Sequence, residues 1–273
     1  MPLRLFHVDA FTDRPFAGNP AGVCLLDRPA PTGWLQAMAA ELNLPATAFV
    51  RPLDDGSWDL RWFSAARELE LCGHGTLASA HVLLSEIDPG QDRLRFSTAA
   101  GPLTALRCDD GTIELELPAH RPEAIEAPDG MAAALFPGDP EAEVTVFRST
   151  MDLLAVLADE AAVRACRPDH RLLATLPGRV VIVSAPGSDG IDMVSRVFAP
   201  SVGVDEDPVT GSAHCLLGPY WADRLGRSRL RAHQASARGG DLWVEVRGDR
   251  VALGGRALTV SSGLLADRVS PIG

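Results

Sequence analysis

Short apolar runs of strand length recur along the chain, separated by turn-forming residues. Leu3 to Val8, Trp58 to Phe63, Leu94 to Thr98, Ile113 to Leu117, Val144 to Phe147, Arg179 to Ser184, Met193 to Phe198, Leu242 to Val246 and Val251 to Leu253 each predict a strand. Asp54-Asp55-Gly56, Asp109-Asp110-Gly111 and Arg247-Gly248-Asp249 separate several of these runs at hairpin spacing, so the pattern predicts a largely antiparallel sheet. Two segments change to helical spacing. Gly33 to Leu42 puts Trp34, Leu35, Met38, Ala39 and Leu42 on one face, and Met151 to Ala165 predicts a second surface helix.

Two other helical segments, Thr76 to Leu84 and Ala213 to Trp221, are apolar nearly all round, which predicts burial. Each follows a glycine-rich turn, Cys72-Gly73-His74-Gly75 or Thr210-Gly211-Ser212, and each is preceded by a similar strand end, Arg61-Trp-Phe63 or Arg196-Val-Phe198. The chain thus reads as a duplication. Its expected class is α+β, with two units of similar plan that each wrap antiparallel strands around one buried helix. The segment Pro118 to Pro128 is the expected crossing between them.

Composition narrows the functional classes. The 273 residues suit one or two domains, and 46% hydrophobic with 22% charged residues is enough to build a core. A formal charge of −11 and an isoelectric point near 5.0 disfavour nucleic acid or an anionic membrane surface as partner. The five cysteines (Cys24, Cys72, Cys108, Cys166, Cys215) are scattered and never paired as Cys-x-x-Cys, which fits a reducing compartment. The early His7 and Asp9 break what a signal peptide would need, and no apolar run reaches the roughly 18 residues of a membrane span, so a cytoplasmic protein is expected. His7, His74, His81, His120, His170, His214 and His233 have no metal-ligand spacing, and Gly73-His74-Gly75 lacks the third glycine of a dinucleotide fingerprint. A cofactor-free protein is expected.

The chemistry concentrates at the two glycine turns. A helix N-terminus offers unpaired N–H groups and a positive dipole end, and glycine lets a small anion approach the backbone. Two such ends facing one another would make a carboxylate-binding cleft. Taken alone, each turn is more simply a tight entry into a buried helix. His74 beside one turn, and Asp205, Glu206, Asp207, Ser212 and His214 beside the other, supply groups that could exchange protons.

These residues lie in long ordered motifs: Val8-Asp-Ala-Phe-Thr-Asp-Arg-Pro-Phe-Ala-Gly-Asn-Pro-Ala-Gly-Val23, Ala39-Ala-Glu-Leu-Asn43, Thr47-Ala-Phe-Val50, Glu70-Leu-Cys-Gly-His-Gly-Thr-Leu-Ala78, Phe198-Ala-Pro200 and Glu206-Asp-Pro-Val-Thr-Gly-Ser-Ala-His-Cys215. Gln234-Ala-Ser-Ala-Arg-Gly-Gly240 and Gly254-Gly-Arg256 continue them. Over nearly its full length the sequence resembles the PhzF family of phenazine-biosynthesis isomerase-like proteins. The resemblance implies the diaminopimelate-epimerase-like fold, usually as a homodimer, with the active site in the cleft between residues 1–118, completed by about 257–273, and residues 119–256. It also implies catalytic positions at His74, Asp207 and Ser212. Asn19, Gly73, Gly75 and Gly211 would surround the carboxylate of a small-molecule substrate.

Two adjacent positions, Pro45 and Ala46, depart from the family. Members generally read Ser-Glu-Thr where this chain has Pro45-Ala46-Thr47, and the glutamate is the general acid/base thought to carry the proton between substrate carbons. Ala46 cannot do so, and Glu41 matches a family glutamate that coexists with the catalytic one. Relatives that use two opposed cysteines match Cys72 at the first position, while the second is read at Gly211, with Cys215 about one turn into the helix; a two-thiol racemase is not expected. The expected activity is movement of a carbon–carbon double bond by proton transfer in a small unsaturated cyclic amino or hydroxy acid, in a natural-product pathway of the alkylproline or phenazine type. A non-catalytic ligand-binding protein and a one-cysteine epimerase using Cys72 are the alternatives.

Overall fold

The computed structural model describes residues 3–150 and 152–266. The chain divides into two compact units, Met1–Glu116 with Gly254–Gly273, and Leu117–Leu253. In the first, β1 (Arg4–Ala10) and β2 (Asn19–Leu25) pair antiparallel; α1 (Thr32–Leu42) then carries the chain to β3 (Ala46–Pro52), which lies parallel to β2. β4 (Trp58–Phe63) returns antiparallel to β3 and pairs with the two-residue β5 (Glu68–Leu69). A second crossover, α2 (Gly73–Val82), leads to β6 (Arg93–Thr98), parallel to β4. β7 (Gly101–Arg107) and β8 (Ile113–Pro118) follow as antiparallel hairpins.

The second unit repeats this order of pairings. After β9 (Glu123–Ile125) and α3 (Met131–Leu135), β10 (Thr145–Ser149) pairs antiparallel with β9 and with β11 (Asp152–Val156). α4 (Glu160–Ala165) and α5 (His170–Leu173) cross to β12 (Val180–Pro186), parallel to β11. β13 (Met193–Ala199) is antiparallel to β12 and pairs with β14 (Val204–Asp207), after which α6 (Gly211–Leu225) crosses to β15 (Arg229–Gln234), parallel to β13. β16 (Gly240–Arg247) pairs antiparallel with β15, β17 (Arg250–Gly255) follows, and β18 (Ala257–Leu264) lies antiparallel to β1 in the first unit. Among the described residues antiparallel pairs predominate, and the parallel pairs β2–β3, β4–β6, β11–β12 and β13–β15 each follow a helical crossover, which parallel neighbours need.

The two crossover helices of uniform apolarity are the buried ones. α2 buries every residue except Gly73 and His81 and packs on β1, β2, β3 and β18, whereas α6 packs on β15 and β16. Both begin at their glycine turns, earlier than the apolar pattern indicates, and α6 runs through Pro219 to Leu225. The opposite face of β1–β4 carries the cluster around Leu35, Met38, Cys24, Phe49 and Phe63 under α1.

The segment expected as one helix from Met151 to Ala165 is instead a strand and a short helix. Asp152–Val156 is β11, buried between two partners, and only Glu160–Ala165 is helical, with Asp159 accepting from Ala162 N as its cap; Met151 lies outside the described residues. An unbroken apolar run buried on both faces has no period that separates strand from helix. The expected crossing at Pro118–Pro128 likewise contains a short strand, β9. Residues 267–273 of the expected C-terminal return lie outside the described residues.

Candidate functional site

In the first unit, the turn into α2 places Cys72 at the N-cap with extended backbone and no side-chain cap bond, and His74 as the second helical residue. His74 is buried, and burial pushes its imidazole down to about 4, so the ring is neutral at pH 7. The Asn19 side-chain amide nitrogen, at the start of β2, donates to His74 Nδ1 over 3.3 Å. That leaves the ring proton on Nε2. Cys72 Sγ stands 3.6 Å from Nδ1 and 3.8 Å from Nε2, nearly equidistant, and so in line with neither ring lone pair. This is a packing contact more than a thiol–imidazole base pair.

Close approach explains two glycines here. A Cβ on Gly75 would lie 2.8 Å from Trp62 Cδ1 and 3.0 Å from Cys72 Sγ, so only glycine lets the helix start lie against β4. Gly18, at φ +64, would press a Cβ to 2.2 Å from the Ala10 carbonyl oxygen, and its bare backbone closes the loop that delivers Asn19. The loop is also held by Asp9, whose carboxylate accepts from Phe16 N at 2.8 Å.

Ala46 is the first residue of β3, fully buried, and in parallel register with Ala21. Side chains alternate along strands. Phe49 faces the cluster under α1, so Ala46 and Ala48 face the other way, toward α2, as do Asn19 and Ala21 on β2. The sheet face that presents Asn19 to His74 therefore carries a methyl group at Ala46. Glu41 is exposed on α1.

In the second unit the N-cap of α6 is Thr210, and Ser212 is the second helical residue. Thr210 is thus the counterpart of Cys72, Gly211 of Gly73 and Ser212 of His74, which corrects the alignment that put the second cysteine position at Gly211. Cys215 is fully buried, and burial pushes its thiol up to about 12. Asp207 is not the cap of α6; its Oδ2 accepts from Thr210 Oγ1 at 2.5 Å. The loop between them is fastened by Gln234, fully buried at the end of β15: its Oε1 accepts from Thr210 N at 2.8 Å, and its Nε2 donates to the Asp207 carbonyl at 2.7 Å.

The acidic and basic residues grouped by sequence separate in space. Asp207, Thr210 and His214 share one turn, His214 Nδ1 lying 2.8 Å from the Thr210 carbonyl oxygen. Burial pushes His214 down to about 4. Glu206 instead makes a two-pronged pair with Arg196, at 2.7 and 2.9 Å, and Asp205 is exposed. Sequence reasoning assigned no role to Thr210 or Gln234. The signal for Gln234 was a polar residue in phase with the inward-facing Leu230 and Ala232 of β15.

Among the described residues no three His, Cys, Asp or Glu side chains cluster closely enough to hold a metal ion, and no helix is long and apolar enough to cross a membrane.

Comparison with known proteins places this geometry in a family. The model of the phenazine biosynthesis-like proteins, PhzC-PhzF, matches residues 8–263. An uncharacterized isomerase of Pseudomonas aeruginosa is 49% identical over 265 residues, covering 97% of this chain and 99% of its own. The crystal structure of a PhzF-family phenazine biosynthesis protein from Enterococcus faecalis superposes with a TM-score of 0.91 at 39% identity, covering 97% of this chain and 100% of that one. A probable proline racemase from Agrobacterium radiobacter K84, at 14% identity and a TM-score of 0.62 over 97% of this chain and 93% of its own, shares the fold alone. The chain belongs to the phenazine biosynthesis-like, PhzF-type isomerase family and has its epimerase-like α+β fold.

Proposed function

We propose that this protein is a cofactor-independent isomerase that moves a carbon–carbon double bond by proton transfer in a small unsaturated cyclic amino or hydroxy acid. The observation that carries the reading is the repeated helix entry: the same turn occurs in both units, glycine first and then His74 or Ser212, with Asn19 of the neighbouring strand bonded to His74 in one and Asp207 bonded to the cap residue Thr210 in the other. Backbone N–H groups at Gly73, Gly75 and Gly211 suit a carboxylate. A neutral His74, its Nδ1 occupied by Asn19, offers its Nε2–H as a hydrogen-bond donor without the penalty of burying a charge at rest and takes up a proton only as the Asn19 contact gives way, and Asp207 supplies a carboxylate whose orientation is set by Thr210. With a methyl group at Ala46, the proton is carried by Asp207 or His74, and Ser212 orients the substrate. The substrate belongs to an alkylproline- or phenazine-type natural-product pathway.

The methyl at Ala46 favours one second reading, a protein that keeps ligand binding after losing turnover; loss of one general acid/base costs about 10² to 10⁴ in rate. Proton NMR in D₂O with a panel of dihydroanthranilate-type and unsaturated proline-type acids separates the two. Deuterium incorporation or double-bond movement in the parent, abolished in Asp207→Asn, is the expected result. Binding without exchange, with turnover appearing only in Ala46→Glu, would establish the binding protein instead.

A further inference from the structure

A cavity of about 510 Å³ in the second unit, lined by Gly190, Asp192, Arg227, Arg229, Arg231 and Trp243 among others, has no part in the reaction proposed above. Its floor is the exposed face of β15 and β16. Side chains alternate along β15, so Leu230 and Ala232 point into the core while Arg229 and Arg231 point outward, and Arg231 stands opposite Trp243 in the antiparallel register.

The charges in this cavity are unevenly satisfied. Asp192 is the carboxylate among those lining residues, and both its oxygens are taken: Oδ1 by the Arg227 guanidinium and Oδ2 by the backbone N–H of Arg231, at 2.7 Å. Arg229 lies over the Trp243 ring, 4.7 Å from its centroid. Its cross-strand neighbour Glu245 is hydrogen-bonded by Arg247 at 2.7 Å, and the charge of Arg229 also helps hold that carboxyl below its usual range. Among the described residues nothing accepts a hydrogen bond from the Arg231 guanidinium, and the Trp243 indole N–H is buried without a partner. Three guanidinium groups around one committed carboxylate leave the cavity cationic, on a chain whose formal charge is −11. Arg229 and Arg231 are exposed, so water screens their charges at rest, and the planar fork of arginine matches an oxyanion in two-pronged fashion.

We infer that this cavity binds a small doubly charged oxyanion, a phosphate ester or a dicarboxylate, between the Arg231 and Arg229 guanidinium groups. Arg227, pinned by Asp192, fixes the near wall, and the stacking of Arg229 on Trp243 pre-orients the second fork. Binding at this place changes the surroundings of the Trp243 indole and therefore its fluorescence.

Isothermal titration calorimetry of the whole protein with inorganic phosphate, and separately with succinate, tests the inference, with tryptophan fluorescence read alongside. Saturable, salt-sensitive binding of one or both probes is expected, weakened about tenfold in Arg231→Gln and lost in the Arg229→Gln/Arg231→Gln double variant. Arg231→Lys should fall between, because it keeps charge without the fork. Arg171→Gln, at a side chain 96% exposed elsewhere in the unit, should bind as the parent does. The fluorescence change should vanish in Trp243→Phe. Phosphate alone would assign the phosphate source and succinate alone the carboxylate source. Binding of neither, or binding indifferent to the arginine substitutions, overturns the inference. So does a double variant whose only effect is on self-association, which would make this face a contact between copies.

Discussion

Asn19 donates its side-chain amide to His74 Nδ1, and that contact selects which nitrogen of the buried imidazole faces away from the sheet as a donor. The pairing is neutral, and burial alone holds His74 near 4. Asn19→Asp would place an anion there and favour the protonated ring. A ¹H–¹³C NMR titration should then find the His74 transition raised by at least about one unit relative to the parent. An unmoved transition would mean that the contact does not persist in solution.

Burial of His74 and His214 also makes stability depend on pH with a definite sign. Both rings titrate near 4 in the folded chain, against about 6.5 for a free imidazole. Between those values the unfolded chain binds more protons, so the stability present above pH 6.5 is lost as pH falls toward 4. The loss is on the order of 3 kcal/mol for each ring. Urea denaturation at pH 7, 5.5 and 4 should record the decline, and His214→Gln should make it shallower. An unchanged slope in that variant would remove His214 from the account.

Gly75 tests how tightly α2 is seated. A Cβ there meets Trp62 and Cys72 Sγ at 2.8 and 3.0 Å, and Trp62 is 1% exposed with no room to move. Gly75→Ala should destabilise by about 1–3 kcal/mol. Gly33→Ala, where a Cβ meets nothing within 4 Å in the first turn of α1, should be neutral or stabilising by up to about 1 kcal/mol. Thermal melts of the two variants should move in opposite directions or differ by several degrees.

Gln234 holds the loop from Asp207 to Thr210 at both ends, from the neighbouring strand. Gln234→Ala leaves the Thr210 N–H and the Asp207 carbonyl without these bonds, at a cost of about 1–3 kcal/mol. The same variant should lower turnover more than binding, because it frees the carboxylate geometry without removing the carboxylate. Equal loss of kcat and of ligand affinity would contradict a positioning role.

The reading of the sequence was strongest where local signals agreed and weakest where burial replaced them. The glycine turns and the all-round apolarity of α2 and α6 predicted buried helices, and these helices form the crossovers. β2 and β3, by contrast, carry Asn19, Pro20, Gly22 and Ala46, poor strand residues that are ordered by neighbours on both sides. The candidate site residues His74, Asp207 and Ser212 stand in long ordered motifs and are proposed from the chain alone. The hydrogen bonds of Asn19 and Gln234 join residues 55 and 27 positions away, and no local pattern encodes such pairings.

Adjacent carboxylates on β14 give the sharpest contrast. Glu206 is committed to Arg196, whose side chain is 10% exposed and also donates to the Cys166 carbonyl at 2.6 Å, whereas Asp207 accepts from a hydroxyl at the helix entry. Glu206→Gln leaves the Arg196 guanidinium largely buried without its anion, which should cost about 3 kcal/mol in unfolding experiments. Each folded molecule should still turn over at nearly the parent rate. Asp207→Asn has the reverse signature: the amide is nearly isosteric and can still accept from Thr210, so stability changes by less than about 1 kcal/mol, but a group that can exchange a proton is gone. Turnover should then fall by about 10² or more. Denaturation and single-turnover exchange measured on the same two preparations decide the matter: if both variants lose activity only in proportion to their unfolded fraction, Asp207 is a structural residue like its neighbour and the proton carrier lies elsewhere.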